Sequence, residues 1–436
     1  MPHMNALMIR RYRYEIMPGP AAQQSLARAF GCARVVFNDY VAANRARHLN
    51  NQPFLSDVEA QRLLITAAKK APEREWLAEV SVVLLQQSIR DAGTAYRNFF
   101  NSLSGRRKGR RVGLPKFKSK HQGEQSIRFT VNGFSIRGGH TNTHPDNPTP
   151  GRLYLAKIGT IPVRWSRALP SAPKSVTITH TPDGRYFASF TVDVPEKAAV
   201  APAHPGRVAG IDLGLNEFAA VVYSDGTREI IDNPRFARAA ARRLSRAQKS
   251  LNRKVKGSKN RAKQKRRVAS LHRHVANQRL DHAHQVAARL IRENQTIAVE
   301  TLSITGLART SLAKSIHDAG WGQFLSILGA KAVEQNRTVA AAPAGFPSTR
   351  ACTLCGTNSG AKPLHVRIWT CACGAVLDRD YNAATNLLMV AGGHSETLNA
   401  CGADVRRHLA RPRSDRDAAI RDEAGTRPTR TPSRVR

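Results

Sequence analysis

The sequence predicts a multidomain α/β protein: a β-barrel-like domain interrupted by a bundle of helices, then a second unit in which strands and helices alternate. Three observations carry this. At 436 residues the chain is too long for one ordinary core. The hydrophobic period is near two at residues 8–16, shifts to three and four between Pro20 and Phe100, and returns to two over 126–194. The Ala/Pro-rich stretch Pro195 to Pro205 then reads as a linker.

Each element follows from local pattern. Met8 to Ile16 is a short strand. Val82, Leu85 and Ile89 mark one face of a helical bundle. Residues 105–118 form a basic loop, too rich in Gly and charge for burial. Strands are expected at Ser126–Thr130, within Gly151–Val163, at Ser175–His180 and at Tyr186–Val194. Thr181-Pro182-Asp183-Gly184 supplies a hairpin turn between the last two. The first strand is expected to pair with this block, making the helices an insertion. Residues 139–150 read as a loop.

The second unit begins at Gly206, with strands Val208–Leu213 and Glu217–Tyr223, the latter ending in Ser224-Asp225-Gly226. A long basic helical stretch covers 235–292, broken near Gly257-Ser258. Leu244, Leu251 and Val255 supply its core face. A strand at Thr296–Glu300, a helix at Trp321–Gln335, a strand near Thr338–Ala342 and a helix from about Asp380 to Met389 follow. The Arg/Pro/Asp/Gly-rich tail, 396–436, is expected to be disordered and basic.

The charge bears on function. Sixty-nine Lys and Arg against 31 Asp and Glu give a formal charge of +38. Self-repulsion on that scale calls for a polyanion, and nucleic acid fits because each neutralised phosphate releases counterions. No apolar run of 18 residues and no secretory signal supports a membrane. Arg243, Lys249, Arg253, Lys254, Lys256, Lys259 and Arg261 lie in a stretch almost free of acids, unlike a solvated helix with mixed signs. Phosphate contact is the reading, with Lys116 and Lys118 of the basic loop added. Tyr96, Phe99 and Phe100 either stack on bases or, the better expectation, join the core, as do Trp321 and Trp369. His272, His274, His282 and His284 are read as surface or packing residues.

Three acids stand out by context. Asp212 lies inside the apolar strand Val208-Ala209-Gly210-Ile211-Asp212-Leu213-Gly214. Glu300 ends Thr296-Ile297-Ala298-Val299-Glu300. Asp380 sits where the last helix opens. Singly, Asp212 could be a turn residue, Glu300 a surface residue, and Asp378 or Asp380 a helix cap. Together they form an oxygen donor set of the kind hard Mg²⁺ prefers. Two such ions about 4 Å apart activate a water and stabilise a leaving oxygen at phosphorus. Strand, strand, helix, strand, helix, with acids on the first strand, a later strand and the last helix, is the RNase H-type order.

Cys352-Thr353-Leu354-Cys355 and Cys371-Ala372-Cys373 are clustered in a chain with only two other cysteines, Cys32 and Cys401. That pattern fits a structural Zn²⁺ site of four thiolates in a reducing compartment. The second pair is one residue shorter than a usual knuckle. A ribbon folded without metal, or with His365 as substitute ligand, is the alternative.

Gly210-Ile211-Asp212-Leu213-Gly214, Ile297-Ala298-Val299-Glu300-Thr301-Leu302 and Asp378-Arg379-Asp380-Tyr381-Asn382-Ala383-Ala384-Thr385-Asn386 resemble the three RuvC motifs of TnpB proteins and the related type V CRISPR nucleases. Gly113-Leu114-Pro115-Lys116-Phe117-Lys118, Arg279 to His284 and Asp318-Ala319-Gly320-Trp321 are similar to further segments of that family. The resemblance implies a RuvC-like nuclease domain at 206–342 and 374–395 with a zinc ribbon at 343–373 inserted in it. It also implies a β-barrel wedge domain at 1–18 and 105–200, with a helical recognition domain at 19–104 inserted there. It implies Asp212, Glu300 and Asp380 as catalytic acids at a two-metal Mg²⁺ site, Asp378 in support, and Cys352, Cys355, Cys371 and Cys373 on Zn²⁺. The implied partners are a guide RNA from the transposon end and double-stranded target DNA, the latter cut beside a transposon-associated motif. A cytoplasmic, nucleoid-associated monomer is expected. A guide-free nuclease or transposase, a guided repressor that does not cut, and use in a CRISPR setting remain the alternatives.

Overall fold

The computed structural model describes residues 7–120, 123–138, 151–195, 200–363 and 365–392. The expected loop at 139–150 and tail at 396–436 lie outside them, as does Cys401. Two compact units emerge, residues 1–198 with 240–276, and residues 199–239 with 277–436.

In the first unit, β1 (Leu7–Ile16) leads into α1 (Pro20–Leu49), α2 (Asp57–Gln61) and, after tight helical turns, α3 (Val82–Leu103). Then come β2 (Gln125–Thr130), β3 (Phe134–Arg137), β4 (Arg152–Leu155), β5 (Gly159–Arg164), β6 (Pro173–His180) and β7 (Tyr186–Pro195). Their sheet runs β2-β6-β7-β1-β5-β4-β3 and is antiparallel throughout. The first strand therefore lies at its centre, between strands from the far side of the helices. The two edges, β2 and β3, are joined by the single turn Val131–Gly133, which bends the sheet into a near-closed barrel. Period-two alternation sends Ile127, Phe129, Val176, Ile178, Ala188, Phe190 and Val192 into one core shared with α1 and α3. The hairpin turn forms as the sequence implies: Thr181 N–H donates to the Arg185 carbonyl, and Gly184 takes the left-handed φ of +87°.

The second unit holds β8 (Val208–Leu213), β9 (Ala219–Tyr223) and β10 (Arg228–Ile231), followed by the helices α4 (Phe236–Asn252) and α5 (Lys259–Glu293). Next are β11 (Thr296–Val299), α6 (Ile304–Leu307), α7 (Ala313–Ala319), α8 (Trp321–Gln335) and β12 (Thr338–Ala341). A hairpin β13 (Ile368–Thr370) and β14 (Val376–Asp378) leads into α9 (Arg379–Gly392). The five-stranded sheet runs β10-β9-β8-β11-β12. Its first three strands are antiparallel, and β8, β11 and β12 are parallel. Every residue of β9 is buried, as is β8 beyond Val208, because the sheet is covered on both faces. Ala209, Ile211, Leu213, Ile297 and Val299 face Val286, Leu290, Phe324 and Leu328 of α5 and α8. Ala220, Val222 and Ala298 face α9.

Residues 240–276, most of α4 and the first half of α5, group with the first unit. Gly257 (φ +84°) makes the expected break, and Ala247 and Leu251 pack on Val268 and Leu271. Val255, expected on that core face, is instead 76% exposed: it lies beyond the end of α4, where helical spacing no longer sets its direction. Among the described residues, no helix is long and apolar enough to cross a membrane.

Candidate active site and cysteine cluster

Strand alternation decides where the acids point. On β8, Gly210 and Asp212 face α9, opposite to Ala209, Ile211 and Leu213. On β11, Ala298 faces α9, so Glu300, two residues on, leaves the strand on that side. The parallel register pairs Ala298 with Gly210 and Val299 with Ile211, and one further step sets Glu300 beside Asp212. Gly210 is required here. A Cβ would collide with the Ala384 carbonyl and the Leu388 amide, so α9 lies directly on the β8 backbone. That close approach brings Asp380, in the first turn of α9, to the same cleft. Asp212, Glu300 and Asp380 all line this cleft of about 650 Å³, together with Asn233, Arg235, Asp318, His365 and Arg367.

The electrostatics are those of crowded acids. Burial, reinforced by Glu300 and then Asp380, pushes the Asp212 carboxyl up to about 8, against the opposing pull of Arg379 and Arg367. Burial also raises Glu300. Asp380 is held by Arg367, whose Nη1 lies 3.0 and 2.9 Å from its two oxygens. Asp378 caps α9: its Oδ1 accepts from the amides of Asp380 at 3.0 Å and Tyr381 at 2.9 Å. The cap and the cleft residue are thus divided between the two aspartates that the sequence left ambiguous. Among the described residues, the three acids do not draw their oxygens within 4.8 Å of one another, and only the cysteine quartet reaches that spacing. A pair of ions needs a wider donor set than a single ion, and Asp380 is turned toward an arginine. Three carboxylates lining one cleft are the oxygen donors a divalent cation takes.

Cys352, Cys355, Cys371 and Cys373 do gather, despite the shortened second pair. Cys355 and Cys371 sulfurs are 3.5 Å apart, and Cys352 and Cys373 3.9 Å. The Thr357 hydroxyl and amide beside Cys355 hold its thiol down at about 6, a thiolate at neutral pH. Four sulfurs gathered this closely suit structural zinc. Around them lies only a minimal core of Trp369, Val366, Ala375 and Leu377. His365, the possible substitute ligand, is not in the sulfur cluster and lines the carboxylate cleft instead.

Of the basic residues singled out, Arg243, Lys249, Arg253, Lys256, Lys259 and Lys116 are exposed, and Lys254 is half-buried. Lys249, Arg253 and Lys254 line one shallow hollow with Arg246 and Ser250. Arg261 is engaged within the fold: its Nη1 donates to the carbonyls of Leu251 at 2.7 Å and Lys254 at 2.9 Å, closing the turn between α4 and α5. Lys118 rests over the Phe37 ring, 3.9 Å from its centroid, and its backbone exchanges two hydrogen bonds with Asn38. Tyr96 is buried as expected, whereas Phe100 is 47% exposed. Trp321 and Trp369 are core residues.

Several site residues were given no role by the sequence. Arg367 is one arginine among many. Asp318 accepts from the Ala237 and Arg238 amides at 2.7 and 3.0 Å, fixing the start of α4 beside the cleft. Asn382 and Asn386 stand in the third acidic motif without a role that spacing alone would reveal.

A mixed sheet carrying acids on its first strand, on a later strand and on the helix laid across it is a RuvC-like fold, joined here to a near-closed barrel, a helical region and a four-cysteine zinc-binding region. Family models match at 189–311 ("Probable transposase", the OrfB type of IS605 elements), at 321–387 ("Cas12f1-like, TNB domain") and at 4–52 ("Helix-turn-helix domain"). Over the last span the structure has one strand and one unbroken helix. A Streptomyces pristinaespiralis protein, provisionally named an RNA-guided DNA endonuclease, is 36% identical over 94% of this chain and 95% of its own length. InsQ of Escherichia coli K12, with the same provisional name, is 28% identical over 91% and 95%. The Cas12f1 chain of a cryo-EM complex with sgRNA and target DNA superposes with a TM-score of 0.54 at 11% identity, covering 87% of this chain and 98% of that one. The chain belongs to the TnpB family of transposon proteins.

Proposed function

We propose that this protein is an RNA-guided DNA endonuclease that cuts target DNA beside a short adjacent motif, using magnesium held by Asp212, Glu300 and Asp380. The observation that carries this reading is the convergence of acids from β8, from the end of β11 and from α9 on one face of one sheet, in a cleft where burial and the neighbouring carboxylates raise the Asp212 carboxyl. Bound magnesium would supply water activation and charge neutralisation at the leaving oxygen. The chain's own residues do the remainder. Asp378 fixes the first turn of α9, and Arg367 restrains the Asp380 carboxylate. Arg379 and Arg367 offset the crowded negative charge.

The guided part of the reading draws on the relatives' names, on the RNA and DNA in the Cas12f1 complex, and on the charge of +38. Base pairing would read the sequence, and the protein would read duplex shape and the adjacent motif. The barrel (1–18 and 105–200, as a wedge domain) and the helices inserted in it (19–104) would grip guide and motif. Residues 206–342 and 374–395 would cut, braced by the ribbon at 343–373. The hollow of Lys249, Arg253 and Lys254 would take phosphates.

The test is to purify the protein with its native RNA, sequence that RNA, and offer a matching plasmid in Mg²⁺. Cleavage that RNase treatment abolishes, and that Asp212→Ala lowers by about a thousandfold or more while target binding persists, is the expected result. Cleavage that survives RNase would identify a guide-free nuclease or transposase. Tight guided binding without cutting in Mg²⁺, equal in wild type and Asp212→Ala, would identify a guided repressor.

A further inference from the structure

Asn382 and Asn386 lie one turn apart on α9, both buried, at 3% and 6% exposure. Their side chains are not spent on the helix. Nδ2 of Asn382 donates to the Ala351 carbonyl at 2.8 Å and, more weakly, to that of Ser348 at 3.4 Å. Nδ2 of Asn386 donates to the same two carbonyls, at 2.8 and 2.7 Å. Oδ1 of Asn382 accepts from the Thr353 amide at 3.0 Å. The two asparagines therefore grip the backbone on both sides of Cys352, the first sulfur ligand.

The other end of the cysteine cluster is tied to α9 by a different route. Cys371 and Cys373 sit in the turn of the β13–β14 hairpin, where the Cys371 amide donates to the Ala375 carbonyl. That hairpin runs directly into Asp378 and Asp380. Arg367, at its base, holds Asp380 by side chain and accepts the Arg379 amide by backbone at 2.7 Å. The first knuckle and the hairpin thus reach α9 separately. Between the knuckle and the hairpin, the sulfur cluster and the small core around Trp369 are the bridge.

We propose that Asn382 and Asn386 are positioning residues that couple zinc at the four cysteines to the placement of Asp380, the zinc closing a ring that runs from α9 through the knuckle and hairpin back to α9. The proposal rests on the reading of Asp380 as a magnesium ligand. A closed ring stiffens all its members, and opening any link loosens the rest. Loss of the asparagine grip should then speed zinc escape at one end of the ring and weaken magnesium use at the other. A merely structural role for the asparagines would lower stability without joining those two readouts.

The experiment uses the full-length protein purified with its RNA, as wild type, Asn386→Ala and the Asn382→Ala/Asn386→Ala double variant. Zinc release is timed with a chromogenic chelator, and the Mg²⁺ concentration for half-maximal cleavage of a matched target is measured separately. Zinc release about tenfold faster and a severalfold higher Mg²⁺ requirement are expected, the scale of one or two buried hydrogen bonds left unmade. Either quantity within twofold of wild type, in a variant that still binds its RNA, overturns the coupling. Should the double variant not accumulate, Asn386→Ala alone is read the same way, since it removes one donor pair and leaves the Asn382 contacts in place. If wild type does not cut in Mg²⁺, the nuclease reading fails. Zinc release unchanged by the asparagine variants would then overturn the grip on the knuckle as well.

Discussion

One guanidinium nitrogen of Arg367 bridges both carboxylate oxygens of Asp380. The arginine is a locator, fixing the rotamer of the acid from a hairpin held by the cysteine cluster, and a competitor, occupying the oxygens a cation would use. The two roles predict opposite signs for Arg367→Ala. Maximal cleavage rate should fall by about ten- to a hundredfold as Asp380 loses its fixed geometry. The Mg²⁺ needed for half that rate should fall or hold, because a competing positive charge is gone. A rate series across Mg²⁺ concentrations separates these effects. An increased Mg²⁺ requirement would rule out the competitor role.

Asp212 gives the metal-free protein a pH dependence of predictable sign. Folded, its carboxyl keeps a proton up to about pH 8, whereas in the unfolded chain it ionises near pH 4. The folded state binds the extra proton throughout that window, so this contribution to stability is full below about pH 4 and is lost as pH rises to about 8. Glu300, also raised, acts in the same direction. Melting curves of magnesium-free, zinc-loaded protein should therefore show Asp212→Asn gaining on wild type as pH goes from 5 to 8. Added Mg²⁺ should narrow the gap by stabilising wild type alone. A gap that shrinks with pH before magnesium is added would contradict the assignment.

Gly210 allows α9 to rest on β8, and that contact carries the distance between two acids of the site. Gly210→Ala must push backbone away from backbone, not merely a flexible side chain. We expect about 3 kcal/mol of destabilisation, at the upper end for overpacking, and loss of cleavage even at temperatures where the variant remains folded. Thermal melts and cleavage assays at low temperature would show it. Normal cleavage by a folded variant would mean that α9 can occupy another position.

Arg253 and Arg261 are alike in sequence and opposite in use. Arg253 lines the basic hollow, while Arg261 closes the turn after α4. Arg253→Ala should weaken nucleic-acid binding and reduce the slope of log affinity against log salt by about one, with little effect on melting. Arg261→Ala should leave that slope nearly unchanged and cost about 1–2 kcal/mol, since two turn carbonyls lose their donor. Binding isotherms at several salt concentrations, beside thermal melts, distinguish the pair.

The parts of the fold legible in sequence were those set by local periodicity. β8 and α8 fall at the expected residues, and β1, β6, β7 and β11 within two, because alternation, helical spacing or an unbroken apolar run persists through each. β3, β10, β13 and β14 were not singled out. At three or four residues none establishes a period, none has the unbroken apolar run that marks β11, and each exists by pairing with a neighbour. The acids were legible because a charge inside an apolar strand contradicts its surroundings. Arg367, Asp318 and the two asparagines contradict nothing locally. Their meaning comes from which carbonyl or carboxylate the tertiary fold puts opposite them. Val255 and Arg261 show the converse limit: a composition can be read as a core face or a phosphate face, but the turn at Gly257 decides which residues belong to either.

The helix that completes the cleft, α9, is the last described element of the chain and covers the α9-side faces of β8, β9 and β11. During synthesis, the strands bearing Asp212 and Glu300 emerge long before it. A product interrupted by a frameshift or stop codon ahead of residue 379 would retain the basic stretch of α4 and α5 and two of the three acids, but would leave an apolar sheet face bare. Such a fragment would be unable to cut yet still attracted to nucleic acid, and prone to aggregation. Late truncation would thus disarm the proposed nuclease while sparing its affinity for nucleic acid.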